Sequence, residues 1–441
     1  MQAILGVIFH FIGGFASGSF YMPYKKVKGW SWESFWIVGG LFSWLIVPPL
    51  AAWLTIPGFA DIIKAAPSAV LGTTFLMGLL WGIGGLTYGL GVRYLGVSLG
   101  SSIILGLCSV FGALVPSIYY FFNPKTGKDP ISYLAGTSWG QLVIIGLLIC
   151  IIGIVICGKA GAMKDKELGG SHTDASGSEF LLVKGLVLAV ISGVLSACFS
   201  FGIEAGSSMG EAANAAWKAA HPAETGEFLF RNNVIFVVIL WGGLLTNFVW
   251  CMILNAKNKS FGDYTNKKTP LGKNYILCAL AGTTWFLQFF FYGMGESKMG
   301  NGASSWILHM SFIILVANMW GLLLKEWKGV SRKTITTIIV GIVTIIGSVL
   351  IVGWGNNKKP AVAELKTEQP GTLSIKFANH DHISNLEFID PATNAVALTD
   401  TVTTEKIQVN TSGLTGTKYI LKYKVDGHWS PGDVIDVNTN K

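Results

Sequence analysis

Trp81-Gly82-Ile83-Gly84-Gly85-Leu86-Thr87-Tyr88-Gly89-Leu90-Gly91 and Trp285-Phe286-Leu287-Gln288-Phe289-Phe290-Phe291-Tyr292-Gly293-Met294-Gly295 are two versions of one apolar segment. Their register continues through Gly96/Gly300, Ser101/Ser305 and Ile103/Ile307. A second echo pairs Gly14, Ser17 and Phe20 with Gly193, Ser196 and Phe199. Each segment lies in a stretch long enough to cross a bilayer, which takes about 20 apolar residues. Ten such stretches are expected, at approximately residues 2–22, 35–56, 69–91, 97–120, 139–158, 183–205, 231–254, 273–294, 303–324 and 334–354. Five spans are an odd number, so two copies of a five-helix unit face opposite ways. The expectation is an all-α polytopic membrane protein of two inverted repeats, about 1–158 and 183–354, the plan of many secondary transporters.

Composition agrees: mean hydropathy is +0.53, and only 13% of residues are charged. That balance is membrane-like rather than soluble. The first span is not read as a cleaved leader, because Met1–Ile4 carries no Lys or Arg and Lys25, Lys26 and Lys28 follow the apolar run. Loop cations set orientation. One side holds Lys25, Lys26, Lys28, Arg93, Lys159, Lys164, Lys166, Lys257, Lys259, Lys267, Lys268, Lys325, Lys328, Arg332 and Lys333; the other holds Lys64, Lys125, Lys128, Lys218 and Lys298. The richer side is the cytoplasm, and both termini lie outside. The net charge of +8 therefore reports topology. No basic groove interleaved with aromatics appears in the loops, which argues against a nucleic-acid partner.

Residues 356–370 read as a polar linker, and 371–441 as a small extracytoplasmic all-β module. Alternating runs at 372–377, 385–389, 406–409 and 419–425 are bounded by Asn, Asp, Gly and Pro, the pattern of short strands. At roughly 70 residues the module is near the lower limit for a lone core and is expected to lean on the membrane domain. All six cysteines fall in the apolar spans, where they read as packing residues. His380-Asp381-His382 reads as a solvated turn, two imidazoles at i, i+2 making a weak metal site without a third ligand. No metal or cofactor is called for.

Ionisable side chains inside a membrane are costly and mark function by default. His10 lies roughly 12 Å and His309 roughly 9 Å from the outer ends of their spans at the helical rise. Either imidazole can carry a coupling proton near neutral pH. Glu204 closes the sixth span on the same side and is the third candidate. Arg93 and Lys325 sit at cytoplasmic helix ends, where they snorkel. Sugar binding needs polar groups for hydroxyls and flat aromatic faces for the ring. Trp285, Gln288 and Tyr292 fall on one helical face at i, i+3, i+7; Trp81 and Tyr88 form the related stripe. Ser305, Trp306, His309 and Phe312 share a face of the ninth span. These residues are candidates for substrate contact.

The same stretches carry a resemblance. Phe20-Tyr21, Pro23, Lys25-Lys26-Val27-Lys28, Trp30-Ser31-Trp32-Glu33, Trp81-Gly82-Ile83-Gly84, Tyr94-Leu95-Gly96, Leu287–Tyr292, Trp306, Leu308-His309-Met310-Ser311-Phe312 and Leu324-Lys325-Glu326-Trp327 resemble, in order, the L-rhamnose–proton symporter family of the drug/metabolite transporter superfamily. The chain departs at Gly85, Thr87 and Glu204, where enterobacterial members carry Asn. The resemblance covers about residues 1–355 and implies a ten-helix protein of the bacterial inner membrane. That protein would import L-rhamnose, or a related 6-deoxy monosaccharide, with a cation that is a proton in preference to sodium. An exporter or facilitator of another small metabolite stays open, because fold does not set direction. So does a sugar sensor using the module, although the cytoplasmic loops are short. A membrane-embedded enzyme is disfavoured by the absence of an acid/base cluster in the loops.

Overall fold

A computed structural model of the chain describes residues 2–95, 97–168, 181–222, 228–299, 302–323, 327–369 and 371–437. Gly96, Gly300 and Lys325 lie outside the described residues, as do the side chains of Arg93 and Ser101.

Ten helices among the described residues are long and apolar enough to span a membrane. Spans 1 to 5 are Ile4–Tyr24, Trp32–Thr55, Ser68–Gly91, Ser102–Phe122 and Ser138–Leu168. Spans 6 to 10 are Val183–Ala205, Asn233–Asn258, Leu271–Met299, Ser305–Leu323 and Arg332–Asn357. Uninterrupted apolar runs satisfy their own backbone only as helix in lipid, which is why length and composition alone locate them. Shorter helices at Phe59–Ala65, Ile131–Gly136 and Ser207–Ala220 fill the connections. The last is amphipathic, burying Met209, Gly210 and Ala213.

The chain divides into two compact units. The first comprises residues 1–112 and 150–346. In it span 3 packs along spans 6 and 7, and span 1 packs along spans 8 and 9. Small residues permit the close crossings, as is usual where lipid supplies no hydrophobic drive between helices. A Cβ on Gly78 would lie 2.0 Å from the Ile239 carbonyl oxygen, and one on Gly242 would lie 2.2 Å from that of Phe75. Span 2 is irregular: Leu41–Ile46 is a π-helical turn, followed by Pro48-Pro49. The Ser43 hydroxyl anchors that turn on the carbonyls of Gly39 at 3.1 Å and Gly282 at 3.0 Å.

At one end of this unit a polar network binds the start of span 2 to the end of span 7 and the following loop. Glu33 is buried and accepts from Ser260 Oγ at 2.6 Å and Asn258 Nδ2 at 3.0 Å. Asp263 accepts from the Ser31 amide and the Ser34 hydroxyl. Asn274 pairs with both main-chain groups of Lys28. Satisfied buried groups of this kind are hard to open singly, because each broken bond strands its partner.

The second unit comprises residues 113–149 and 347–441. Its β module has a three-stranded sheet in the order β1 (Ala361–Gln369), β2 (Thr372–Ala378), β5 (Lys406–Asn410). A second antiparallel sheet runs β4 (Val396–Thr401), β3 (Ile383–Ile389), β6 (Lys418–Val425), β7 (His428–Trp429), with β8 (Asp433–Asp436) also paired to β6. Alternate residues are buried along β6, and Phe377 of one sheet meets Tyr423 of the other at 5.5 Å, so the sheets share one core. Four strands stand where alternation predicts them. Residues 361–369, expected within the linker, instead form β1: their Glu364, Lys366 and Glu368 make the strand read as polar, while Leu365 alone is buried.

The module leans on the loop between spans 4 and 5. Lys359 forms an ion pair with Asp129, and the Gly127 amide donates to the Gly432 carbonyl. The Ser138 amide, at the start of span 5, donates to Asp426 Oδ2 at 2.8 Å. His382 Nδ1 lies 2.8 Å from Asp426 Oδ1. Burial raises the Asp426 carboxyl, but bonds from Ser138 and His382 outweigh it and hold the group below the usual carboxylate range.

Candidate substrate and proton site

Spans 1, 3, 6, 8 and 9 bring most of the sequence candidates to one cluster. Trp81 of span 3 and Trp285 of span 8, the matched residues of the two echoing segments, meet with ring centroids 5.6 Å apart. Phe199 of span 6 joins them, 5.3 Å from Trp81 and stacked on Phe289 at 4.0 Å. It also stacks on Trp306 of span 9 at 6.2 Å and 15°. Trp306 in turn sits edge-on to Tyr292 at 5.8 Å. Such offset and edge-to-face pairs are favourable beyond their burial.

The histidines close one side of this cluster. His10 and His309 are fully buried, with ring centroids 5.8 Å apart. Tyr292 lies between them and the indoles, 5.5 Å from His10 and 5.3 Å from His309. Glycines make the space. A Cβ on Gly295 would lie 2.6 Å from His10 Nε2, and one on Gly13 would lie 3.0 Å from His309 Cε1. By strict donor–acceptor geometry none of the four ring nitrogens has a hydrogen-bond partner, nor has the buried Ser305 hydroxyl. Buried polar atoms are ordinarily paired. Imidazole nitrogens buried side by side are groups that a polar ligand or a proton can engage.

Gln288 is 4% exposed, and its Nε2 turns back to donate to the Trp285 carbonyl at 3.0 Å. That bond fixes the amide and leaves Oε1 as the acceptor for a ligand. Trp306 likewise spends its indole N–H on the Cys108 carbonyl at 3.1 Å, so it can offer only its face.

Other candidates stand apart. Tyr88 packs with Leu95, Ile103 and Ile104 in a separate apolar cluster. Phe312 meets Phe11 edge-on at 5.4 Å and covers Gly14, a helix-to-helix contact between spans 9 and 1. Glu204 is half-buried at the end of span 6. Gly84 lies against the backbone of Ser196, a close crossing of spans 3 and 6; Gly85 has open space beside it.

Three buried residues escaped the sequence reading, two of them in this cluster. Phe199 was noted only as an echo of Phe20. Trp44 of span 2 meets Trp285 at 5.8 Å. Glu33 is a buried carboxylate whose partners lie more than 200 positions away, a distance that hides such pairs from local pattern. Two surface hollows, one lined by Lys159, Lys333 and Thr337 and the other by Asp400, Thr404 and Gln408, are open to solvent and lack convergent aromatic faces.

Residues 1–358 match the family described as L-rhamnose-proton symport protein (RhaT). A protein of Cronobacter sakazakii named L-rhamnose-proton symporter is 39% identical over 356 residues, covering 80% of this chain and 97% of that relative. One of Yersinia pestis with the same name is 38% identical over 357 residues, covering 80% of this chain and 98% of its own length. The β module falls outside both the family match and these relatives.

Proposed function

The chain belongs to the L-rhamnose-proton symport protein family, and from that premise we propose that it carries L-rhamnose, or a closely related 6-deoxy monosaccharide, into the cell together with a proton. It is a multi-pass membrane protein and not an enzyme. The observation that carries the mechanism is the contact of an unpaired histidine pair with an aromatic platform through Tyr292.

Sugar sits on the indole faces of Trp81 and Trp285, with Gln288 Oε1 accepting from a hydroxyl and Phe289 flanking the 6-methyl group. Coupling follows from dielectric. Two imidazolium charges 5.8 Å apart would repel by about 3 kcal/mol at an effective dielectric of 20, so the pair takes one proton. A single buried imidazolium without acceptors is costly. A sugar hydroxyl oxygen beside it supplies an acceptor, so proton and sugar favour each other's binding, and reciprocity is obligatory. His309 is the coupling residue, ahead of His10 and Glu204. Its counterpart in the first echoing segment is the apolar Leu105, which a purely packing role would not require.

Two inverted five-helix repeats frame this site. The pairing of span 1 with span 8 and of span 6 with span 3 supports them, since one pair maps onto the other. So does a shared contact: Ser192 of span 6 donates to the Gly84 carbonyl at 2.8 Å, and Gly13 of span 1 closes on the Gln288 carbonyl in the corresponding place. The cation bias places both termini and the β module in the periplasm, with the protein in the bacterial inner membrane. Residues 1–355 form the transporter domain. Proteoliposomes with an alkaline interior should accumulate L-rhamnose and release it when a protonophore is added. Failure to accumulate rhamnose, lyxose or fucose under either a proton or a sodium gradient sinks the reading.

A further inference from the structure

We propose that Trp44 is a further sugar-binding residue, its indole N–H donating to one substrate hydroxyl and its position set by the π-turn of span 2. The proposal rests on the sugar-import reading and adds to it a specificity contact. Trp44 is 4% exposed and belongs to the same buried cluster as Phe289, Tyr292 and Trp306. Its Nε1 has no hydrogen-bond partner. A buried indole N–H ordinarily finds one, as Trp306 does on the Cys108 carbonyl and Trp36 on Asn247 Oδ1 at 3.0 Å. The other unpartnered indoles, Trp30, Trp139 and Trp327, stand at or beyond span ends. Trp44 is in mid-span.

Orientation follows from Gly40. A Cβ there would meet Trp44 at Cζ3, Cε3 and Cη2, the benzo edge of the ring. The N–H lies on the opposite edge of the ring, turned away from Gly40. The ring meets Trp285 of span 8 at 5.8 Å and 87° and Trp36 of its own span at 6.1 Å and 62°. An edge-to-face contact is a poor substitute for an oxygen acceptor, so a hydroxyl entering beside Trp285 gains a bond that the protein itself does not make. The backbone points the same way. Trp44 lies within Leu41–Ile46, where i→i+5 bonding replaces the α ladder. Single π-turns are uncommon and recur at functional sites, where they re-aim a side chain. Ser43 holds this one to span 8 through the Gly282 carbonyl, the helix that carries Trp285. Being a donor only, the indole selects for an acceptor oxygen at one position of the sugar.

The test pairs Trp44→Phe with L-rhamnose and its series of monodeoxy derivatives, measuring binding to the full-length purified protein. Trp44→Phe keeps an aromatic ring and loses the N–H. It is expected to weaken L-rhamnose binding roughly tenfold, the scale of a lost hydrogen bond in a buried site. For one derivative, the one lacking the bonded hydroxyl, wild type and variant should bind equally. Trp44→Tyr keeps an aromatic donor, carries the same series if Trp44→Phe does not fold, and should lose less for L-rhamnose. An unchanged affinity, or an equal loss for every derivative, overturns the assignment while leaving the import reading standing. Wild-type protein that binds none of these sugars overturns both.

Discussion

The two echoing segments begin alike and end differently. Trp81 and Trp285 meet across the molecule, and both face the aromatic cluster. Seven residues later the segments part: Tyr292 contacts both histidines, whereas Tyr88 packs against a cluster of leucine and isoleucines. Further along the same register His309 corresponds to Leu105. On the proposed reading, the echoing segments share a platform, and differences at a few positions supply the chemistry. That reading assigns binding to what the segments share and proton coupling to what they do not.

The largest expected effect breaks the asymmetric half. His309→Gln keeps hydrogen-bonding capacity but does not titrate, so it should abolish pH-driven accumulation while preserving sugar counterflow. A variant that still concentrates sugar under a pH gradient alone would transfer the role to His10 or Glu204. Next, Trp81→Ala and Trp285→Ala should each raise half-saturation roughly tenfold, about 1.4 kcal/mol. Tyr88→Phe should change it less than about twofold, since Tyr88 packs in a cluster apart from the aromatic platform. Uptake kinetics in proteoliposomes checks all three, and an equal loss at Tyr88 would erase the distinction between the copies. A smaller loss, about fivefold in affinity, is expected for Gln288→Leu. Because its Nε2 bonds the Trp285 carbonyl within one helix, thermal stability in detergent should change little. Lost stability with unchanged affinity would make Gln288 a structural residue.

The smallest effect concerns the second unit. Asp426 is held below the ordinary carboxylate range, burial opposing and the Ser138 and His382 bonds prevailing. A depressed folded value means that its stabilisation is present above the unfolded value, about 3.9, and fades as pH falls through the lower folded one. Acid should therefore loosen the attachment of the β module to the loop between spans 4 and 5, seen as faster proteolysis around residues 356–360. In Asp426→Asn that part of the acid response should be missing and cleavage faster at neutral pH. An identical pH profile in the variant would show that Asp426 does not hold the module.

Much of this was legible in the sequence, because membranes leave few options. Span lengths come from bilayer thickness, and four of the strands come from simple alternation. His10, His309, Trp285 and Tyr292 stood out because polar and amphipathic groups are scarce in lipid. What stayed hidden depends on long-range contact. That Tyr88 and Tyr292 diverge is decided by neighbours on other helices, not by their own segments. The π-turn around Trp44 leaves no local pattern beyond Pro48-Pro49, and Glu33 reads as an ordinary first-turn acid until Ser260 and Asn258 arrive. β1 was hidden by its exposed charges.

The most direct test of the central claim is sugar-induced proton movement in lightly buffered proteoliposomes without an imposed gradient. Adding L-rhamnose outside should raise external pH transiently, with close to one proton entering per sugar, as a histidine pair that holds a single charge requires. Rhamnose entry with no pH change would contradict the account, and a ratio near two would contradict the shared-proton site.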